Sequence, residues 1–182
     1  MRSLVCLSGG LDSALVMLMA KEQGECQCVA FDYGQPHLIE LKYARNLAEK
    51  YSVPLDTVSI PNMPKINDVV FAGRNLVFAA LTAASALTRD CDTISFGCNK
   101  SDWNRFPDCR PVFWKSVKAA IFDGYGVKVA TPLLHMTKQE IVIEARIRGL
   151  NTNDTWSCYA PRQDDTPCGV CLACETRITA GA

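Results

Sequence analysis

Residues 4–16 read LVCLSGGLDSALV. An apolar run, Leu4 to Leu7, stops at Ser8-Gly9-Gly10, and a helical pattern begins at Asp12. Strand, glycine loop and helix form the opening unit of an open parallel sheet, and such sheets bind ligands at the carboxyl ends of their strands. Two readings of the loop are open from its residues alone. The glycines can simply turn the chain tightly, with Asp12 or Ser13 capping the helix. They can instead aim several N–H groups into one concavity, an anion nest at the positive end of the helix, with the hydroxyls of Ser8 and Ser13 as further donors. The pattern is neither a Walker loop nor the dinucleotide-binding G-x-G-x-x-G.

The rest of the chain alternates in the same way. Periodicity predicts strands over 4–7, 28–33, 55–60, 93–98 and 128–130. It predicts helices over 12–22, ended near Gly24, and over 37–51, 75–88 and 112–122. Thr137-Lys138-Gln139-Glu140 fits a capping box, so another helix starts there, and Gly149 is placed to end it in a left-handed conformation. The helix over 75–88 is apolar enough to be expected buried on most sides. Strand–helix alternation predicts an α/β fold: a parallel five-stranded sheet with helices on both faces, Rossmann-like. The polar loops after the strands are its expected binding rim. They are Ser8 to Ser13, Asp32 to His37, Gly97 to Asp102 running on to Arg110, and Thr131-Pro132.

The 182 residues, 48% of them hydrophobic, suffice for one core and a small appendage. Nineteen basic residues balance nineteen acidic ones, so net charge gives no argument for a nucleic-acid or membrane-surface partner. Met1-Arg2 before apolar residues resembles a secretion signal, but the glycines and Asp12 interrupt it. The apolar stretch 76–87 is too short to span a bilayer. A soluble, cytoplasmic protein is expected.

Ten cysteines are many for such a chain. Six are scattered: Cys6, Cys26, Cys28, Cys91, Cys98 and Cys109. In strand-like runs a thiol is usually a small buried apolar group. The other four, Cys158, Cys168, Cys171 and Cys174, are spaced C-x9-C-x2-C-x2-C in a short segment with no apolar run to build its own core. Four soft thiolates there suit a closed tetrahedral Zn²⁺ site that would staple residues 151–182 onto the α/β domain of 1–150. Four thiolates around Zn²⁺ carry −2, with Arg162 and Arg177 near to offset it. The spacing also admits an iron–sulfur cluster, disulfides or a redox thiol.

S-G-G-x-D-S directly after a first strand resembles the pyrophosphate loop of the N-type ATP pyrophosphatases, which cleave ATP to AMP and pyrophosphate while adenylating a substrate. Further motifs narrow the resemblance. They are Asp32-Tyr33-Gly34-Gln35-x-His37 with Glu40, Gly73-Arg74-Asn75, Gly97-x-Asn99 with Asp102, Pro107-Asp108-Cys109-Arg110-Pro111, Thr131-Pro132-Leu133 with Lys138 and Glu140, and Thr155-Trp156-Ser157-Cys158-Tyr159 through Cys174. Together, along almost the whole chain, they are similar to the 7-cyano-7-deazaguanine synthases, the QueC family. The terminal piece and P-D-C-R-P are the most diagnostic.

The resemblance implies an adenine nucleotide alpha hydrolase-like fold and an AMP-forming ligase. The family converts 7-carboxy-7-deazaguanine and ammonia to the nitrile through two ATP-dependent activations. It implies ATP on Leu7, Ser8, Gly9, Gly10, Leu11, Asp12 and Ser13, with Phe31 beside it. A carboxylate such as Asp12 next to a triphosphate calls for Mg²⁺ between them. Lys138, Arg110 and Asp108 are the catalytic candidates. Arg74, Asn75, Gly97, Asn99, Asp102, Asp108 and Arg110 are candidates for the substrate, since an arginine suits its carboxylate and an aspartate the donor-rich edge of its base. Asn75 reads equally as a helix N-cap, and Lys138 as a solvated first-turn residue. His37 lies on the rim and could shuttle protons; His135 reads as structural. One Zn²⁺ per chain and a homodimer are implied, with no direct nucleic-acid contact and no membrane contact. The stretch between Ile60 and Gly73 is shorter than the family's, which bears on a lid, an oligomer contact, or a relative that stops at the amide. Two rivals stand. A tRNA sulfurtransferase would share the loop but carry working cysteines near the nucleotide, for which Cys109 is the rim candidate. A zinc-ribbon interaction module on an inactive nucleotide fold would not need an intact S-G-G-x-D-S.

Overall fold

Strand β1 (Arg2–Cys6) is the middle of the sheet, and its side chains divide the molecule. Alternate residues of a strand face opposite ways. Val5, with Leu7 just beyond the strand, joins a core with α1 (Leu11–Gln23), α2 (Ile39–Lys50) and α5 (Lys138–Ile147). Leu4 and Cys6 face a second core built with α3 (Arg74–Leu87) and α4 (Pro111–Tyr125). β2 (Glu25–Asp32) repeats the division, with Cys28 and Ala30 on one side and Val29 and Phe31 on the other. The computed structural model describes residues 1–35, 38–61 and 73–182. His37 and residues 62–72, the core of the stretch expected to be short, lie outside the described residues.

β3 (Leu55–Ser59), β4 (Thr93–Ser95) and β5 (Lys128–Ala130) complete a five-stranded sheet of order β3-β2-β1-β4-β5. Every pairing is parallel. This is the expected α/β architecture, with helices on both faces. Among the described residues no helix is long and apolar enough to cross a membrane.

Local departures have local causes. β2 begins at Glu25, three residues before its apolar run, because Glu25 to Gln27 pair with Arg2 to Leu4 whatever their polarity. β4 stops at Ser95 rather than at Cys98, since its partner β5 ends at Ala130. α3 is not the most buried helix. Only Ala79, Thr82, Ala83 and Ala86 are buried, while Leu76 and Leu87 are about half exposed. Its small residues bring one face close to the sheet, with Phe78 stacked on Phe31 beside them, and leave Leu76 and Leu87 outside. The helix buried on most sides is α1, with eight of its thirteen residues covered. A sixth helix, α6 (Leu172–Ala180), was not expected; it packs on α5.

Candidate active site and candidate metal centre

The strand order reverses between β1 and β4, the position where such sheets open a crevice. The two loops meet there without room to spare. A Cβ on Gly97, after β4, would lie 2.9 Å from the backbone of Asp12 and Ser13. In the loop after β1, Gly9 has φ +87°, the left-handed region that favours glycine, and a Cβ on it would lie 2.2 Å from the Glu40 carbonyl oxygen. Gly10 is extended (φ −80°, ψ 161°), so only the first glycine uses the special conformation. The Trp156 N–H donates to the Gly9 carbonyl at 2.9 Å and fixes the loop from above.

Gly10 is the N-cap of α1, and no side chain caps that helix. Ser13 instead ties the loop together. Its Oγ accepts from the Ser8 N–H at 3.2 Å and donates to the Gly10 carbonyl at 3.0 Å. Asp12 turns sideways, accepting from Lys138 Nζ at 2.6 Å and from Asn99 Nδ2 at 2.8 Å. Neither capping reading holds: no side chain accepts from the first-turn N–H groups of α1, the end that carries the helix's partial positive charge.

Lys138 is delivered by the α5 capping box. Thr137 Oγ1 accepts from the Glu140 N–H at 3.3 Å, and Glu140 Oε2 accepts from the Thr137 N–H at 2.7 Å. The Lys138 and Asp12 side chains are only 18% and 17% exposed, which removes the solvated reading of Lys138. Asn99, buried to 1% exposure, also donates to Asp102 Oδ2 at 2.8 Å and so holds two carboxylates on one amide. Burial and the neighbouring Asp12 push the Asp102 carboxyl up, against Lys138 and Asn99.

Across the cleft stands a second charged group. Arg74, first residue of α3, donates to Tyr33 Oη at 3.3 Å. Buried Gln35 accepts from the Tyr33 N–H at 2.9 Å and donates to the Phe31 carbonyl and to Glu40 Oε1, at 3.2 and 3.0 Å. Burial pushes Glu40 up to about 7, with Arg74 and the Gln35 amide pulling the other way. Burial alone would weaken the Arg74 charge, but Tyr33, Tyr159 and Glu40 outweigh it, and its pKa is raised.

Of the residues singled out in the sequence, Leu7, Ser8, Gly10 to Ser13, Phe31, Arg74, Asn75, Gly97, Asp102 and Lys138 line one cleft. Gly9, Asn99, Asp108 and Arg110 do not line it. Arg110 is exposed and donates from Nε to the Trp103 carbonyl at 2.7 Å. Asp108 accepts from the Asn75 N–H at 3.3 Å, and Asn75 Nδ2 reaches the Asp108 carbonyl at 3.2 Å. The P-D-C-R-P turn thus fastens the start of α3. Asn75 is not the N-cap; left-handed Gly73 is. His135 is exposed and sets its ring edge-on to Trp103. The sequence did not single out Cys6, Glu40, Phe78, Phe106, Tyr159, or Leu172, Ala173 and Thr176 of α6 as ligand contacts, though all line the cleft. Their signal is tertiary: no local pattern says that α6, packed on α5, brings these residues to the cleft.

Burial pushes the Cys6 thiol up to about 12, and the hydrogen bond to Cys109, with burial, keeps Cys98 protonated. The four terminal cysteines form a cluster; burial pushes Cys158 up and Cys174 up to about 12. Their Sγ atoms all lie within 4.8 Å of one another, with Cys168 to Cys174 at 3.9 Å and Cys171 to Cys158 at 4.0 Å. Thiolates about 2.3 Å from one tetrahedral ion lie roughly 3.8 Å apart, so the set could hold a metal ion. Backbone N–H groups of Val170 and Cys171 pull Cys168 down to about 6, which favours a thiolate. Arg162 donates to the Cys168 carbonyl at 3.1 Å. Arg177 binds the Thr155 carbonyl, Thr155 Oγ1 and Ser157 Oγ at 3.0–3.3 Å, and also the Thr152 carbonyl.

A glycine loop at a helix N-terminus, at the reversal of a parallel β3-β2-β1-β4-β5 sheet, gives the chain a Rossmann-like α/β fold of the PP-loop kind. Solved structures agree on the fold. The U34-tRNA thiolase NcsA from Methanococcus maripaludis, solved with its [4Fe-4S] cluster, matches with TM-score 0.57 at 16% identity over 98% of this chain and 63% of that one. The NH3-dependent NAD synthetase from Campylobacter jejuni matches with TM-score 0.57 at 16% identity, over 84% and 66%. The particular family follows from the sequence. The family model for queuosine biosynthesis protein QueC matches residues 2–71 and 64–181, and the chain belongs to that family. It is 35% identical to a 7-cyano-7-deazaguanine synthase of Erythrobacter litoralis over 202 positions, covering 95% of this chain and 84% of that protein. It is 35% identical to 7-cyano-7-deazaguanine synthase 2 of Rhodopseudomonas palustris, covering 94% and 92%. The family match breaks in two at 64–71, inside the stretch expected to be short, and the first alignment has more positions than this chain has residues.

Proposed function

We propose that this enzyme is an AMP-forming ligase of 7-deazaguanine biosynthesis that converts 7-carboxy-7-deazaguanine and ammonia to 7-cyano-7-deazaguanine. The observation that carries the reading is one cleft holding an uncapped anion nest with Lys138 on one side and Arg74 on the other. The chemistry needs that pairing. A carboxylate is a poor electrophile because oxide cannot leave. Its oxygen attacks the α-phosphorus of ATP, pyrophosphate departs, and the acyl adenylate has AMP as a leaving group. Ammonia adds, AMP leaves, and an amide results. The amide oxygen then attacks a second ATP, pyrophosphate departs again, and loss of two N–H protons with AMP gives the nitrile.

The protein's part is positioning and charge stabilisation. The α1 N–H groups with Ser8 and Ser13 would receive the phosphates, and Lys138 would neutralise charge as pyrophosphate leaves. Arg74 would orient the substrate carboxylate, and Asp102 would accept from the donor edge of the base. Asp108, outside the cleft wall, would act by fixing the start of α3, and Arg110 by holding the Trp103 carbonyl ahead of α4. Asp12 would hold Mg²⁺, which shields triphosphate charge. Cys158, Cys168, Cys171 and Cys174 would hold Zn²⁺ as a closed structural staple, making 151–182 a metal-bound segment on an ATP-pyrophosphatase-type unit of 1–150. Use of ATP and ammonium fits a cytoplasmic enzyme. The tRNA thiolase reading fits less well, because Cys6 and Cys98 in the cleft are held as thiols and Cys109, its rim candidate, is buried beneath the Asn75 amide.

The test is incubation with ATP, Mg²⁺, ammonium and 7-carboxy-7-deazaguanine, following AMP and the base by mass spectrometry. Two AMP per nitrile is the expected stoichiometry. No AMP overturns adenylation, and AMP with only the amide accumulating overturns the nitrile step.

A further inference from the structure

The cleft has a roof that the parallel sheet does not supply. Tyr159, Leu172, Ala173 and Thr176 line it, all from the segment that carries the four cysteines. The nucleotide loop lies wholly between β1 and α1. The same sheet occurs in a tRNA thiolase and an NAD synthetase, whose names specify different substrates. What selects the second substrate therefore has to stand outside the sheet. Tyr159 lines the same cleft as Arg74 and Asp102, the groups assigned above to the substrate. Ala173 and Thr176 are three apart on α6 and share a face. Between them Cys174 is buried in the cysteine cluster, which fixes how the helix is turned. The roof is anchored at both ends, by the Trp156–Gly9 backbone bond and by Arg177 on Thr152, Thr155 and Ser157.

We propose that Tyr159, Ala173 and Thr176 form the specificity wall of the second-substrate site, with the tyrosine ring facing a flat fused-ring base and the two small side chains leaving room for it. This rests on the ligase reading above. A planar bicycle needs an aromatic face and a slot without bulk. The charged groups fix its edges, and the roof fixes its plane.

The experiment uses the full-length, metal-loaded protein. Calorimetry gives Kd for 7-carboxy-7-deazaguanine and, separately, for MgATP, with KM values where turnover occurs. Metal content and melting temperature are measured on each variant. Ala173→Leu is expected to weaken the base at least tenfold and MgATP less than twofold. Tyr159→Phe is expected to stay within threefold of wild type, and Tyr159→Ala to lose tenfold or more for the base alone. If Ala173→Leu does not fold, Tyr159→Ala carries the same test. Equal weakening of MgATP, or unchanged base affinity, overturns the wall. Wild type that binds the base but forms no AMP overturns the ligase reading, while the variants' Kd values still judge the wall. Wild type that binds no base overturns both.

Discussion

Gly9 and Glu40 touch, and each predicts something different about that contact. A methyl group on Gly9 would meet a backbone carbonyl at 2.2 Å with φ at +87°, and a helix backbone cannot step aside. Gly10, extended and with only ordinary contacts at 3.4–3.5 Å, is the internal control. Gly9→Ala is expected to cost roughly 3 kcal/mol or more in urea unfolding, and Gly10→Ala about 1 kcal/mol or less. Equal costs would contradict the strained geometry. Glu40 carries the pH dependence. Its carboxyl is pushed from the usual 4.5 to about 7 by burial, so between these values the folded chain keeps a proton that the unfolded chain has lost. Its contribution to stability is fully present below about pH 4.5 and is lost as pH rises through 7. Glu40→Gln keeps an acceptor for the Gln35 amide and removes the titration. The variant is expected to match wild type near pH 4 and to exceed it at pH 8 by about 1 kcal/mol, after allowance for the group's partial exposure. A constant difference across that range would refute the assignment.

At the scale of elements, a prediction sits at the start of α5, where four consecutive residues contain the whole capping box. Thr137→Ala is expected to lower stability by about 1 kcal/mol. Because the next residue is Lys138, whose ammonium reaches Asp12 at 2.6 Å, the same variant should also lower the rate of AMP release several-fold. A stability loss with unchanged turnover would mean that Lys138 finds Asp12 without the cap. This box was legible in the sequence because its partners are three residues apart. The glycine loop and the four cysteines were legible for the same reason, and strand–helix alternation sufficed for the sheet. Other features depended on distant residues. β4 is cut at Ser95 by the length of β5, and α3 is half exposed because only one face of it, Ala79, Thr82, Ala83 and Ala86 with Phe78, meets the sheet. Asp108 looked like a substrate ligand but serves the Asn75 backbone 33 residues earlier in the chain. Nothing in Leu172 to Thr176 announces a cleft wall, since that role exists only once α6 packs on α5 and reaches the cleft.

The molecule as a whole is two cores against the sheet and a third, small cluster beside them. The first two cores bury dozens of side chains, whereas the third rests on Trp156, Cys158 and Cys174. Three buried residues cannot offset the ordering entropy of the thirty-odd residues after 150 by hydrophobic burial alone. Hydrogen bonds from Arg177 and Trp156 help, but the four converging cysteines, which could hold a metal ion, are the natural remainder, and metal bound there would be folding energy for that segment. The sheet makes no such demand. Removing the metal with a chelator, or substituting Cys171→Ser, is therefore expected to free the segment while leaving the sheet folded. Limited proteolysis should then cut beyond residue 150 and spare the rest, and circular dichroism should lose about one short helix rather than the whole signal. Because the Trp156 N–H holds the Gly9 carbonyl, MgATP affinity should fall a few-fold as well, and return when Zn²⁺ is restored. Complete unfolding on chelation would instead mean that the sheet depends on the segment, and no change in proteolysis would mean that the cysteines are not its staple.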